Sequence, residues 1–380
     1  MRTADVVIAG GGVAGCALAY QLARRGVDVL LIERGQLGAE STAKCAGGVR
    51  QMFSHRANVR LQKVSLRLLG EFEAETGMDP ELRQVGYLFV LTEPAQVTDF
   101  RAQLRLWHAE DVVEARWVEP DEMKLLSPAL NVDDVLGGTY CPSDGLASPA
   151  GVTQGYVSAA RRHGARLEEG VALTGVSRVA GQVRQVATSA GPVATDRLLC
   201  CAGAWSGEVG RLAGVEVPVL PYRRHAFVTG PFSAVGRANP MTIDLSTAFY
   251  FHPEGDGVLF GMSDRDEAPT FRQEVDWSWL ERVVEVAAHR APALAGAGLK
   301  TAWAGLYEMT PDHQPLLGPH PDLAGFWCAC GFSGHGFMQA PAVGLALAQM
   351  ITGEPPAVDL SCFTPARFAQ GQVETERNVI

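Results

Sequence analysis

The chain is poor in lysine: Lys44, Lys63, Lys124 and Lys300 are the only four in 380 residues. With a formal net charge of −10 and an isoelectric point near 5.4, this argues against a nucleic-acid partner, which needs a basic face. No run of 18 apolar residues occurs, so no membrane-spanning helix is expected. Cys16, Cys45, Cys141, Cys200, Cys201, Cys328, Cys330 and Cys362 contain no C-x-x-C pair and no disulfide-framework spacing. That disfavours a zinc site and points to buried, reduced thiols. Internal repeats and low-complexity linkers are also lacking. The first residues run directly into an apolar strand, leaving no segment that reads as a signal peptide, and a cytoplasmic location is expected. At 47% hydrophobic and 19% charged, the chain has the make-up of a globular protein, at this length of two domains.

What is present starts at residue 5. Asp5-Val-Val-Ile-Ala9 reads as a buried strand, Gly10-Gly-Gly12-Val13-Ala14-Gly15 as a G-x-G-x-x-G loop, and Cys16 to Arg25 as a helix. Asp28 to Ile32 is a second apolar strand, ending at Glu33. Strand, glycine turn, helix, strand and acid follow in the order a dinucleotide site requires. Gly10 permits the tight turn, Gly12 lets backbone approach a pyrophosphate, and Gly15 lets helix and strand pack closely. Glu33 is placed to accept hydrogen bonds from a ribose and would repel a 2′-phosphate. The motif alone does not separate NAD from FAD.

A second glycine cluster lies near the other end. Gly331, Gly334 and Gly336 stand within Cys330-Gly-Phe-Ser-Gly-His-Gly-Phe-Met338, just before an apolar helical pattern from Ala340 to Ile351. Glycines ahead of a helix let backbone N–H groups meet a ligand at the positive helix end.

Between these landmarks, Arg56 to Thr76, Pro94 to Glu110, Glu119 to Leu126, the segment ending near His163, and Trp277 to His289 show helical periodicity. Gly86 to Leu91, Arg166 to Val179, Val183 to Thr188, Arg197 to Ala202, Pro221 to Thr229, Ala248 to His252 and Gly257 to Met262 read as strands. A short helix to Leu212 follows Gly203-Ala-Trp205. The expected architecture is α/β. Residues 1–84, 148–218 and 300–380 would form a discontinuous nucleotide-binding domain, and 85–147 with 219–299 an inserted, sheet-rich substrate domain.

Several segments together resemble the flavin-dependent amino acid oxidoreductases of the D-amino acid oxidase superfamily. They are Gly10 to Gly15, Ser41 to Phe53, Val85 to Phe89, Ser143-Asp-Gly145, Gly305-Leu-Tyr-Glu-Met-Thr-Pro-Asp312, Gly331 to Gly344 and Phe363 to Gly371. The likeness is greatest to the β subunits of heterotetrameric sarcosine oxidase and of dye-linked L-proline dehydrogenase. It implies FAD rather than NAD, and a Rossmann-type, glutathione-reductase-like FAD domain. Carried over by position, Gly10, Gly12, Val13, Ala14 and Gly15 meet the pyrophosphate, and Glu33 and Arg34 the adenosine. Thr42, Ala43, Lys44, Ala46, Gly47, Gly48 and Val49 wrap the pyrophosphate and the flavin ring. Leu173 lies at the adenine, and Ala202, Gly203 and Trp205 lie near the pyrophosphate. Gly305, Gly334, His335, Gly336, Phe337 and Met338 run along the flavin.

The reaction implied is oxidation of a C–N bond beside a carboxylate, with hydride passing from the α-carbon to flavin N5. The substrate implied is a small secondary amino or imino acid such as sarcosine or proline. A primary amino acid (D-amino acid or glycine) oxidase and an electron-relay subunit of a hetero-oligomer are the alternatives. Arg50 is expected to hold the flavin or the substrate carboxylate, Tyr250 the carboxylate, and His335 to polarise the flavin or substrate edge. His225 and His252 are further candidates, and Asp312 is expected to be structural. Gly305 stands where monomeric sarcosine oxidases carry a flavin-linked cysteine, so the FAD is expected to be noncovalent. Met338 and Leu259 stand where those enzymes have a carboxylate-binding and an oxygen-activating lysine. Fewer cations beside the ring tilt the reading towards a dehydrogenase using a quinone, a dye or a partner flavin rather than oxygen. Pro149 replaces the histidine that carries FMN in heterotetrameric relatives. FMN at a subunit interface is therefore open but not expected.

Overall fold

A computed structural model describes residues 2–380. Val6–Ala9 sits at the centre of a six-stranded sheet. Val29–Glu33 and then Arg166–Glu169 lie on one side, and Leu198–Cys200 and then Phe326–Cys330 on the other, all parallel. Leu316–Pro319 closes one edge antiparallel. The central strands are buried on both faces, which is why they read as continuous apolar runs. Val6, Ile8, Val29 and Leu31 face one core, and Val7, Ala9, Leu30 and Ile32 face the other.

The first core holds helices Val13–Ala23 and Gly336–Thr352. The second is covered by the antiparallel strands Leu173–Val179, Gln182–Thr188 and Gly191–Ala194, with Arg2–Thr3 at their edge. Glycine lets the first helix pack closely against its own turn and against the second helix. A Cβ at Gly15 would overlap the Gly10 carbonyl oxygen, and one at Gly344 would lie 2.9 Å from the Ala17 carbonyl carbon. Gly10 has a φ of 115° and lies against the Cys201 carbonyl, a conformation and a contact that only glycine tolerates.

An eight-stranded sheet stands apart from the first. Its order is Leu299–Met309, Leu220–Thr229, Gly257–Met262, Phe249–Glu254, Met241–Asp244, Tyr87–Leu91, Gly137–Cys141 and Arg116–Val118. Neighbours are antiparallel except Met241–Asp244 with Tyr87–Leu91. Phe227, Phe249, Phe251 and Val258 pack one face against Val283 and Ala287 of helix Trp277–Arg290.

Leu299–Met309 lies in the stretch from residue 300 that the sequence grouped with the nucleotide-binding segments. It pairs with Leu220–Thr229 along its whole length, so residues 300–309 belong to the eight-stranded sheet. It is an edge strand, exposed from Leu299 to Thr301 and interrupted by the small residues Ala302, Ala304 and Gly305, and so lacks the apolar alternation that marks a strand in sequence. Glycine-rich Gly137–Cys141 escaped notice similarly.

After Leu299–Met309 the chain is pinned by a buried ion pair. Arg367 donates from Nε to Asp312 Oδ2 (2.7 Å) and from Nη2 to Asp312 Oδ1 (2.8 Å), and the two side chains are 2% and 0% exposed. Nη1 donates to the carbonyl oxygens of Pro315 and Phe363. The structural role expected of Asp312 thus comes with a partner. Arg367→Met leaves a buried carboxylate unpaired and should cost about 3–5 kcal/mol of unfolding free energy. Urea titration of the holoprotein checks this. The Asp312→Asn/Arg367→Met double variant should be more stable than Arg367→Met alone, and equal losses in both would show that the charge is not the cause.

Candidate cofactor and substrate site

A cavity of about 320 Å³ lies between the C-terminal ends of the parallel strands and the eight-stranded sheet. Gly10, Gly12, Val13, Ala14, Glu33, Arg34, Thr42, Leu173, Ala202, Gly203 and Trp205 border it from the parallel sheet and its loops. Lys44, Ala46, Gly48, Arg50, Tyr250, Gly305, Gly334, His335, Gly336, Phe337 and Met338 complete the expected set. Four expected residues do not reach the wall. Gly15 serves packing, Ala43 is exposed, Gly47 is pressed against the Ala147 carbonyl, and Val49 is buried in a two-residue pairing with Gly145.

The nucleotide end is an anion cradle. Helix Val13–Ala23 has Gly12 as its N-cap, with no side-chain cap and no acid in its first turn. The space where a Gly12 Cβ would stand holds nothing nearer than Thr42 Oγ1 at 3.2 Å, and Thr42 Oγ1 also accepts from Val13 N–H (3.1 Å). Helix Gly336–Thr352 begins at the same cavity, also without a side-chain cap or an acid in its first turn. Two positive helix ends and an open glycine face suit a pyrophosphate.

Glu33 does more than the motif foretold. Its Oε2 accepts from Gly11 N–H and its Oε1 from Gly35 N–H, both at 2.7 Å. The carboxylate therefore fastens the glycine loop to the strand end and keeps a lone pair on each oxygen for a ribose hydroxyl. Arg34 lies 4.0 Å over the ring of Trp205, which also stacks with Phe271 (5.6 Å, 23°).

The chamber beyond contains three tyrosines, of which only Tyr250 was foreseen. The hydroxyls of Tyr87, Tyr250 and Tyr307 make no hydrogen bond to the described residues. Each ring occupies space left by a glycine. A Cβ on Gly48 would overlap the Tyr87 hydroxyl, one on Gly261 would lie 2.6 Å from the Tyr250 hydroxyl, and one on Gly334 would overlap the Tyr307 ring. Gly334 therefore makes room for a tyrosine as well as bordering the cofactor's space. Burial pushes all three phenols above their ordinary pKa, so they are neutral donors.

Arg50 is almost fully buried and borders the chamber. Its Nη1 donates to the Met52 carbonyl (2.6 Å), and its Nη2 to the Asn378 carbonyl and to His335 Nε2 (2.9 Å). An arginine can only donate, so His335 Nε2 is the acceptor and the ring is neutral. Burial, then the adjacent Arg50 charge, hold the His335 pKa well below its usual range. The expected polarising role of His335 would fall to its Nδ1–H, because its Nε2 lone pair is taken by Arg50. His225 likewise accepts from Asp276 N–H (3.1 Å), and burial lowers it to about 4. His252 donates from Nδ1 to the Pro253 carbonyl and lies outside the wall.

Arg224 was missed. The doublet Arg223-Arg224 lies in strand Leu220–Thr229, where successive side chains take opposite faces. Arg223 pairs with Glu267 (3.2 Å) and Asp276 (3.5 Å), whereas Arg224 borders the cavity with no carboxylate in ion-pair range. The period-two pattern was the available signal. Arg224 also undoes the expectation of a cation-poor chamber. Lys44 does not supply the charge, because its Nζ is held at the rim by Gln273 Oε1 and lies 3.9 Å from Glu40. Leu259 is buried away from the wall, and Met338 borders it. Two arginines border the chamber, so counting lysines does not measure its field.

Residues 5–350 match the family model described as FAD dependent oxidoreductase (DAO). The chain belongs to this family. FAD is thus its cofactor, and the cradle above is of the kind a dinucleotide pyrophosphate needs. Human mitochondrial dimethylglycine dehydrogenase is 33% identical over 393 residues, covering 97% of this chain and 44% of that protein. Human mitochondrial sarcosine dehydrogenase is 33% identical over 388 residues, covering 96% of this chain and 41% of that protein. The chain spans less than half the length of these two relatives. The crystal structure of L-proline dehydrogenase from P. horikoshii superposes with a TM-score of 0.92 at 31% identity, covering 98% of this chain and 99% of that one. The expected Rossmann-type α/β fold is the fold of this family.

Behind the Arg50 loop, Asp144 is fully buried. Its Oδ1 accepts from Gln51 N–H (2.9 Å) and Gln51 Nε2 (3.1 Å), and its Oδ2 has no partner. Burial pushes its pKa up from 3.8 to about 7. Between those values the folded state binds more protons than the unfolded one, so this group makes stability fall as pH rises. Asp144→Asn should flatten that slope. Thermal unfolding at pH 5 and pH 7.5 should show wild type losing more stability than the variant over this range, and parallel curves would remove the assignment.

Proposed function

We propose that this enzyme oxidises the C–N bond of a small secondary amino or imino acid, of the sarcosine or proline kind, with noncovalent FAD. The observation that carries the reading is the chamber beside the cradle: three partnerless phenol hydroxyls, two arginines without carboxylate partners, and no histidine free to act as a base. When bound, FAD supplies the two-electron acceptor for hydride from the α-carbon. Backbone from Gly10 to Ala14 and from Gly336 to Met338 would hold the cofactor, and Gly305 offers no side chain for a covalent link. The positive field of Arg50 and Arg224 disfavours a protonated amine, so the substrate is kept in the form whose lone pair assists hydride loss. The relatives named above for sarcosine and L-proline, both secondary amines, support this substrate class, and dimethylglycine is a tertiary amine with the same kind of C–N bond beside a carboxylate.

Anaerobic mixing with sarcosine and with L-proline should bleach the flavin, and an artificial dye should restore it. Faster bleaching by a primary D-amino acid or glycine would favour the primary amino acid oxidase, and no bleaching by any amino acid would favour an electron-relay subunit. Acid precipitation should leave the yellow colour in the supernatant, with mass spectrometry identifying FAD. Colour retained in the pellet would refute the noncovalent link.

With no free base, the acid limb of kcat/KM, its rise with pH, should follow deprotonation of the substrate amine. Tyr250→Phe should lower the rate by less than about tenfold and keep the same limb. A limb that moves with Tyr250 and not with the substrate would make the tyrosine the proton acceptor.

A further inference from the structure

Resting on the substrate class just proposed, we infer that Arg224, and not Arg50, is the residue that clamps the substrate carboxylate, through the end of its guanidinium that carries the partnerless Nη2. Sequence reasoning favoured Arg50, but hydrogen-bond supply argues otherwise. A carboxylate is gripped by two parallel N–H bonds from adjacent nitrogens of the guanidinium. Arg50 spends both Nη2 hydrogens on Asn378 and His335 and one Nη1 hydrogen on Met52. Each of its two-nitrogen forks includes Nη2, so no fork remains. Arg50 contributes charge and holds the loop, but cannot grip.

Arg224 is the converse. Its Nη1 donates to the Arg223 carbonyl (2.8 Å), its Nη2 has no partner among the described residues, and its Nε is buried with none. A desolvated donor with nothing to bond is costly unless a ligand satisfies it. Arg223 also has an unpartnered Nε, but its charge is met by Glu267 and Asp276 and it does not border the cavity. Asp264 and Glu267 act on Arg224 only through space, neither being in ion-pair range.

Geometry supports the same choice. Arg224 stands directly across from Gly305 in the paired strands, so no side chain there covers the guanidinium. The rings of Tyr307 (5.4 Å to centroid) and Tyr222 (5.9 Å) flank the guanidinium. Tyr307 and Tyr250, with free hydroxyls, are neighbours able to add a bond to the same carboxylate.

The test uses the holoenzyme and a sarcosine isostere, methoxyacetate, in which an ether oxygen replaces the amine so that no turnover occurs. Binding is read as perturbation of the flavin absorbance, with methyl methoxyacetate as the uncharged control. Wild type should prefer the acid to the ester. Arg224→Gln should weaken acid binding about a hundredfold with little change for the ester, and Arg224→Lys should recover part of the loss as a point charge. Sarcosine KM should follow acid affinity, while flavin content stays at the wild-type level. The assignment is overturned by equal wild-type affinity for acid and ester, by acid affinity within about threefold of wild type in both flavin-bearing variants, or by equal loss of acid and ester. Loss of FAD from both variants, with thermal unfolding otherwise intact, would place the guanidinium on the cofactor phosphates and also overturn it. The titration needs no turnover. A failed substrate screen would therefore count against the proposed function without touching the clamp.

Discussion

Two helices begin at one cavity, and their close packing is the constraint on which the rest depends. Helix Val13–Ala23 can lie against the parallel sheet because Gly10 and Gly15 carry no Cβ, and against helix Gly336–Thr352 because Gly344 carries none opposite Ala17. A methyl group at any of these positions would push a helix outward and move its N-terminus off the cradle. The field of a helix end falls off within about one turn, so small displacements matter. The positions that set packing thereby also set where negative charge is welcome.

The chamber follows the same economy. Gly48, Gly261 and Gly334 come from three separate segments, and each leaves room for one tyrosine. The resulting wall donates hydrogen bonds without carrying negative charge, while Arg50 and Arg224 supply positive charge from two sides. Their roles differ because their donors differ. Arg50 is consumed by carbonyl oxygens and a histidine lone pair, and Arg224 keeps a partnerless Nη2.

The nucleotide end was legible in sequence because a cofactor backbone must meet a protein backbone, and the glycines that allow this sit close together in the chain. Gly10 to Gly15, Glu33 and the helix after Gly334 could therefore be read directly. Tyr87, Tyr307 and Arg224 were harder to see. Each is a single position on a strand, and which face looks inward depends on how eight strands from distant segments are ordered. The edge strand Leu299–Met309, with its small residues, hid its own existence and so hid Tyr307. Glu33 illustrates a subtler limit. Its position was plain, yet its bonds to Gly11 and Gly35 depend on how tightly the loop closes. His335 was conspicuous between two glycines, and only the contact with Arg50 revealed that its lone pair is taken.

The late segment around Asn378 has an effect on timing. Arg50 donates to the Asn378 carbonyl, and Glu376 accepts from Ser54 N–H (2.8 Å) and Asn58 Nδ2 (2.9 Å), so residues 50–58 are held by residues made more than 300 positions later. At ribosomal speeds this interval lasts roughly a quarter of a minute to a minute. Throughout it Arg50 lacks its Asn378 acceptor, and for most of it the second helix of the cradle has not been made. Cofactor capture and chamber assembly therefore wait until the segment around Asn378 has been made. A nascent chain stalled before residue 374 would hold a formed Val6–Ala9 strand and glycine turn beside an unfinished pocket, a state for quality-control machinery rather than catalysis.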